Sequence, residues 1–292
     1  MPRPDIVTLE RSESPLINLG DEYDGRLISY RGKFPECLRA LRQKNLEILT
    51  QREDAMIMIH QGDQFLPQQV IHGEGIVFYP DGNVVITDPA HNPLLMYPDR
   101  ALTMKEFSDE FYLDGSLASL AEELRDIAKD DFDDAIQSGA FLWKRKRRAN
   151  WTYSVDEFFR GEKSAHFLFQ DYTDRVYAML KSMEKDHRLD SILDGAPSRE
   201  YATKPGQKPF VRPRIIYFKD KKLHLDNRIS VDFSMCRVVG LQRIEKIPPA
   251  VLTELQSTVE RYGTHFQQGV PVDLNGKKYS LSLTLTEQPE KK

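Results

Sequence analysis

Two dipeptides constrain this chain more than any other local feature: Asp81-Gly82 and Asn275-Gly276. The first lies between Gly75-Ile-Val-Phe-Tyr79 and Val84-Val-Ile-Thr87. The second lies between residues 270–274 and a stretch in which Tyr279, Leu281, Leu283 and Leu285 alternate with polar residues. Asp-Gly and Asn-Gly supply the positive φ that tight hairpins demand, so each predicts an antiparallel strand pair. Repeated βαβ spacing is absent, which disfavours a doubly wound sheet. The expected class is α+β, mostly antiparallel sheet with a helical middle segment.

Other segments follow from periodicity. Residues 35–51 begin with a proline and carry Cys37, Leu38, Leu41, Leu46 and Leu49 on most of one stripe, which predicts a helix. Residues 55–59 form a short apolar run that predicts a strand. From 103 to 194 the period becomes helical. Thr103 with Glu106 and Ser154 with Glu157 have capping-box spacing. Leu117, Leu120, Leu124, Ile127, Phe132 and Ile136 predict one helix ending near Gly139, and Phe169, Tyr172, Val176, Leu180 and Met183 predict another. The prolines between Gly195 and Pro213 predict a loop and the best boundary in the chain. Strands are expected over 214–218, 229–233 and 235–244, and a helix over 249–262. The organisation expected is a strand-rich part to residue 100, a helical part over 101–194 and a strand-rich part over 195–292, sharing one core.

Charge narrows the partners. Lys and Arg number 41 against 45 Asp and Glu, a net charge of -4, so the whole molecule is neither a general nucleic-acid binder nor a membrane-surface protein. An anionic partner must be met by a local patch. No run of about 18 apolar residues exists, and the N-terminus lacks a secretory apolar stretch, which predicts no membrane association. Cys37 and Cys236 are far apart, each in an apolar stretch, and suit two buried free thiols in a reducing, cytoplasmic setting.

The most unusual segment contains Trp143, Lys144, Arg145, Lys146, Arg147, Arg148 and Trp151: five consecutive cations between the chain's two tryptophans. Cations neutralise phosphates and aromatic faces stack bases, so the combination suits single-stranded or irregular nucleic acid. The competing explanation is internal pairing. Asp130, Asp131, Asp133 and Asp134 stand shortly before, and near a helix C-terminus their charge would need a basic neighbour. A second basic cluster, Lys204, Lys208, Arg212 and Arg214, runs through the proline-rich stretch with Phe210, and Lys219, Lys221 and Lys222 follow. If the two clusters fold side by side, they make a continuous positive surface.

Asp130 and Asp134 are spaced as i,i+4 neighbours on one helix and could hold a magnesium ion, but a third ligand is missing. His60, His72 and Glu74 border the N-terminal strands and converge only if those strands align. The seven histidines have no metal-ligand spacing, and phosphate-loop, dinucleotide and nucleophile-elbow signatures are absent. The function expected is therefore a non-enzymatic binding protein that docks nucleic acid or an acidic protein partner, with no cofactor. The alternatives are an enzyme acting on a nucleotide or phosphoester, with Asp130, Asp134 and a histidine as candidates, and a protein-interaction subunit.

Overall fold

The computed structural model describes residues 9–19, 23–61, 71–101, 111–143, 152–161, 164–195, 208–226, 236–246, 270–274 and 277–281. In chain order the elements begin with β1 (Glu10–Glu13), β2 (Ile17–Asn18), β3 (Tyr23–Gly32), α1 (Phe34–Gln43), α2 (Gln51–Gln61), β4 (Gly75–Phe78) and β5 (Val84–Thr87). Next come the short α3 (Pro93–Met96) and α4 (Pro98–Ala101), then β6 (Phe111–Tyr112), α5 (Ala118–Ile127), α6 (Phe132–Ser138), β7 (Ala140–Trp143) and β8 (Thr152–Tyr153). After these stand α7 (Val155–Gly161), α8 (Ser164–Phe169), α9 (Thr173–Lys185), β9 (Ser191–Gly195), β10 (Phe210–Pro213), β11 (Ile215–Lys219), β12 (Lys222–Asp226), β13 (Cys236–Glu245), β14 (Val270–Leu274) and β15 (Lys277–Leu281). The fold is α+β, with mostly antiparallel sheets. Among the described residues no helix is long and apolar enough to cross a membrane.

The chain divides into a unit over Met1–Ile244 and a second over Glu245–Lys292. In the second, β14 and β15 pair antiparallel, Val270 opposite Leu281 and Leu274 opposite Lys277. The Asn275-Gly276 turn lies outside the described residues, as do the helix expected over 249–262 and the strand expected over 229–233.

In the first unit the Asp81-Gly82 hairpin forms as its residues dictate. Strands β4 and β5 pair antiparallel, Phe78 opposite Val84, and Gly82 takes φ 87°, a left-handed conformation that favours glycine. They sit inside a five-stranded sheet ordered β6-β10-β4-β5-β7. Residues 210–213, expected as loop, are the strand between β6 and β4: prolines flank the pairing, while Phe210 and Val211 fill the core. A second sheet, ordered β11-β12-β9-β8, contains one parallel pair, β9 with β12. In the third, β3 lies hydrogen-bonded between β1 and β13, so strands from the two ends of the first unit are neighbours.

Three further expectations differ from the structure. Residues 55–59 are helix, not strand. Thr50 and Glu53 form a capping box, with Thr50 N–H donating to Glu53 Oε2 (2.9 Å) and Glu53 N–H to Thr50 Oγ1 (3.1 Å). Ala55, Met56, Ile57 and Met58 are all buried, and a turn buried on every side shows no 3.6-residue stripe. Helix α1 ends at Gln43, because Asn45 turns into the left-handed region (φ 54°) and Leu46 and Leu49 enter the core from the chain beyond. The helix expected over 117–139 is two, α5 and α6, and Gly139 at φ 73° ends the second. The Ser154–Glu157 box does start α7 (Ser154 N–H to Glu157 Oε2, 2.9 Å); the Thr103–Glu106 box lies outside the described residues.

Where the sheets meet, a polar cluster is buried. Among the described residues, every buried acid, histidine or arginine belongs to it: Asp54, His72, Glu74 and Arg214. The Glu74 carboxylate accepts from the Gln51 N–H at the start of α2 (2.9 and 3.1 Å), where the helix end favours negative charge. His72 Nε2 and Asp54 Oδ2 stand 2.5 Å apart. The His72 N–H donates to the Arg214 carbonyl (3.1 Å), and Arg214 joins β10 to β11.

Burial pushes the Glu74 carboxyl up to about 7 from an ordinary 4.5. Burial works against the His72 imidazolium, but the Asp54 and Glu74 carboxylates reverse this and hold it above its ordinary value. A carboxyl raised in the folded state destabilises folding as pH passes from its unfolded to its folded value, and a raised histidine loses its contribution as pH rises through its folded value. Both effects have the same sign. The melting temperature should therefore fall from about pH 4.5 through neutrality, Glu74 accounting for roughly 3 kcal/mol of the loss. Glu74→Gln should flatten the profile below about pH 7; a parent profile flat or rising between pH 5 and 7 contradicts this reading.

Candidate functional site

The sheet ordered β11-β12-β9-β8 alternates through its middle rows, although Ile215 and Ser191, which share the outward parity, are buried as well. One face carries Tyr153, Ile192, Leu223, Leu225 and Ile216, all buried in the core with Phe158, Val176, Leu180 and Met183. Residues of opposite parity point the other way. Its main row, read across the strands, is Thr152, Leu193, His224 and Tyr217, exposed or half-buried throughout. Next to it lies the cross-strand pair Lys219 opposite Lys222.

Tyr217 and His224 stack with ring centroids 4.4 Å apart and planes within 9°. The strands are joined by Asp220 and Lys221, both left-handed (φ 51° and 55°), which is the backbone of a two-residue hairpin turn that glycine usually serves. The Lys221 carbonyl accepts from the Asp190 N–H (2.7 Å). Lys219, Lys221 and Lys222 thus crowd one hairpin tip, and among the described residues none of them makes an ion pair. Like charges directly opposite across two strands destabilise the pairing. Strand β8 begins one residue after Trp151, so the basic segment 144–151 leads directly into the edge of this sheet. Thr152 lies three interstrand spacings, about 14 Å, from Tyr217.

The structure describes only part of the site expected from sequence: Trp143, Lys208, Arg212 and Arg214. Lys144, Arg145, Lys146, Arg147, Arg148 and Trp151 lie outside the described residues, as does Lys204. Trp143 ends β7 opposite Val84 and is 4% exposed, so its ring fills the core. Arg214 is fully buried in the polar cluster and presents no charge to the surface. Lys208 pairs with Asp114 (2.7 Å), which Arg100 also engages. Arg212 is half-exposed with its guanidinium 5.6 Å from the Phe210 ring centroid.

The acidic run also differs from expectation. It stands at the N-terminus of α6, where Asp131 caps by accepting from the Asp133 N–H (3.1 Å) and Asp133 and Asp134 occupy the first turn. Negative charge is favoured there without any basic neighbour. Asp130 precedes the helix, so Asp130 and Asp134 do not share one helix face; among the described residues no group of three ligand-type side chains could hold a metal. His72 and Glu74 do converge, but with Asp54 in the interior, while His60 is half-exposed at the end of α2. Tyr217 and His224 are not among the residues that the sequence singles out. The alternation Lys222-Leu-His-Leu-Asp226 was the available signal of a second strand.

No protein-family model matches the chain, and no curated protein matches it. The chain is similar in fold to a solved structure described as the accommodation of massive sequence variation in Nanoarchaeota by the C-type lectin fold. The two are 11% identical, with a TM-score of 0.51 over 82% of this chain and 99% of that one. At that identity the likeness is one of fold.

Because the lysine tip is built against local preference, relieving it should stabilise the protein. Lys221→Gly and Lys222→Glu should each raise unfolding free energy by about 0.2–1 kcal/mol in urea titrations, the second more at low salt. A loss of stability in both would show that these lysines hold the hairpin together.

Proposed function

We propose that this chain is a non-enzymatic binding protein that docks single-stranded nucleic acid on the outer face of the β11-β12-β9-β8 sheet, with Lys144, Arg145, Lys146, Arg147 and Arg148 adding phosphate contacts. The observation that carries this reading is the pairing of a half-exposed Tyr217–His224 stack with a cross-strand lysine pair that makes no ion pair among the described residues. Bases stack on aromatic faces at about 1–3 kcal/mol each, and adjacent cations release counterions from the phosphates. The helix N-terminus at α6 offers a second support, since it accommodates Asp131, Asp133 and Asp134 and removes the need to pair them with the basic segment. The solved structure of similar fold is described as accommodating massive sequence variation. A scaffold of that kind suits a function carried by surface side chains.

Binding of short oligonucleotides, followed by tyrosine and tryptophan fluorescence at several salt concentrations, tests this. Lys219→Ala with Lys222→Ala should weaken binding across sequences and flatten the dependence of log K on log salt by roughly 0.7 per lost contact. Tyr217→Ala should weaken binding with little change in that slope, and Arg145→Ala, Arg147→Ala and Arg148→Ala together should flatten it further. Equal binding of polyphosphate, indifferent to Tyr217→Ala, would point to a polyanion without bases. Absence of salt-sensitive binding in the parent overturns the proposal.

A further inference from the structure

Residues 71–74 cross the buried polar cluster without belonging to any of the strands, and their backbone links go to several different segments. Ile71 bridges to Val238. The His72 N–H donates to the Arg214 carbonyl (3.1 Å), the Gly73 N–H to the Leu49 carbonyl (2.9 Å), and the Arg214 N–H to the Glu74 carbonyl (3.4 Å). Side chains complete the attachment, His72 to Asp54 (2.5 Å) and Glu74 to the Gln51 N–H (2.9 and 3.1 Å). We propose that this attachment is a pH-sensitive latch, closed in weak acid, whose release above neutrality lets residues 71–74 part from α2 and from residue 214 while the rest of the first unit stays folded. This does not depend on nucleic-acid binding.

The latch holds two carboxylates and one imidazole, Asp54, Glu74 and His72, all buried. With Glu74 protonated, the Asp54 carboxylate and the His72 imidazolium cancel, and these three groups carry no net charge. Loss of a proton from Glu74 or His72 leaves a negative charge away from water, which is costly. Charged residues face the cluster from three other places. Glu53 on α2 adds repulsion at Glu74 and is itself paired with Arg243 of β13 (3.5 Å). Arg214, between β10 and β11, meets His72 and Glu74 through its backbone, and the Arg237 carbonyl of β13 accepts from the Ile71 N–H (3.5 Å). A carboxyl raised by burial and a histidine raised by its carboxylate neighbours both lose their hold as pH rises, so the two titrations loosen the latch in the same direction. Release is also favoured locally. The Gln51 side-chain amide and His72 Nδ1 are buried with no hydrogen-bond partner among the described residues, and water satisfies them on opening.

Amide hydrogen exchange of the full chain between pH 5 and pH 8, with and without urea below the unfolding transition, tests this. Rates are expressed as protection factors, which removes the intrinsic pH dependence of exchange. A carboxyl that moves from about 4.5 in the open state to about 7 in the closed one should lower the protection of the Gln51, His72, Gly73 and Arg214 amides on the order of 10- to 100-fold across that range. Local opening exposes little surface, so at each pH these amides should be less protected than those of β5 and α9, and less sensitive to urea. Glu74→Gln keeps an acceptor for the Gln51 N–H without a titrating proton, and it should remove most of the fall between pH 5 and pH 7. Protection at the junction that equals that of β5 and α9 with the same urea dependence would mean that only global unfolding opens the cluster, and would overturn the proposal. Protection that does not fall with pH in the parent, or that falls equally in Glu74→Gln, would overturn it too. The parent measurement decides between local and global opening even where the variant does not fold.

Discussion

The buried contact between Glu74 and the amino end of α2 constrains the rest of the first unit. A buried carboxylate needs donors, and the Gln51 N–H supplies one only if residues 71–74 run past the start of α2. That path also sets His72 against Asp54 and lets the neighbouring backbone bond to Arg214 and Leu49, with Ile71 bridging to Val238. Segments from β10, β11 and β13 therefore meet around one polar cluster. Removing one member would leave its partners buried without compensation, which costs more than the intact arrangement contributes.

This junction reaches the outer face through Arg214. Because residue 214 is held there, β10 enters the five-stranded sheet on one side and β11 leaves into the four-stranded sheet on the other. The parity of β11 follows: Ile216 goes into the core, and Tyr217 and Lys219 go out. A slip of one residue would exchange the two faces. The hairpin tip then gathers Lys219, Lys221 and Lys222 beside Asp220, with Lys221 itself held in the left-handed region that a lysine rarely adopts. Departures of this kind from local preference gather at functional surfaces.

Similarity to a solved structure of the C-type lectin fold at 11% identity is a likeness of fold alone. A fold can be argued from burial and pairing, whereas a function must come from a site. Here β3 and β13 close the first unit by lying side by side.

Local chemistry determined the α+β class, the hairpin at Asp81-Gly82, the capped start of α7 and the strand at β11, because each depends on φ preference, capping or alternation over a few residues. The basic character of 144–148 and 219–222 was legible too. Residues 55–59 carry no helical period because the stretch Asp54–Met58 is buried on every side, and the Thr50–Glu53 box is the local mark of that helix. Tertiary structure made a strand of 210–213 through partners on both sides, and set the acidic run at a helix start rather than an end. The same holds for the site. Tyr217 and His224 become a stack only through the register of the β11–β12 hairpin, which places them opposite each other.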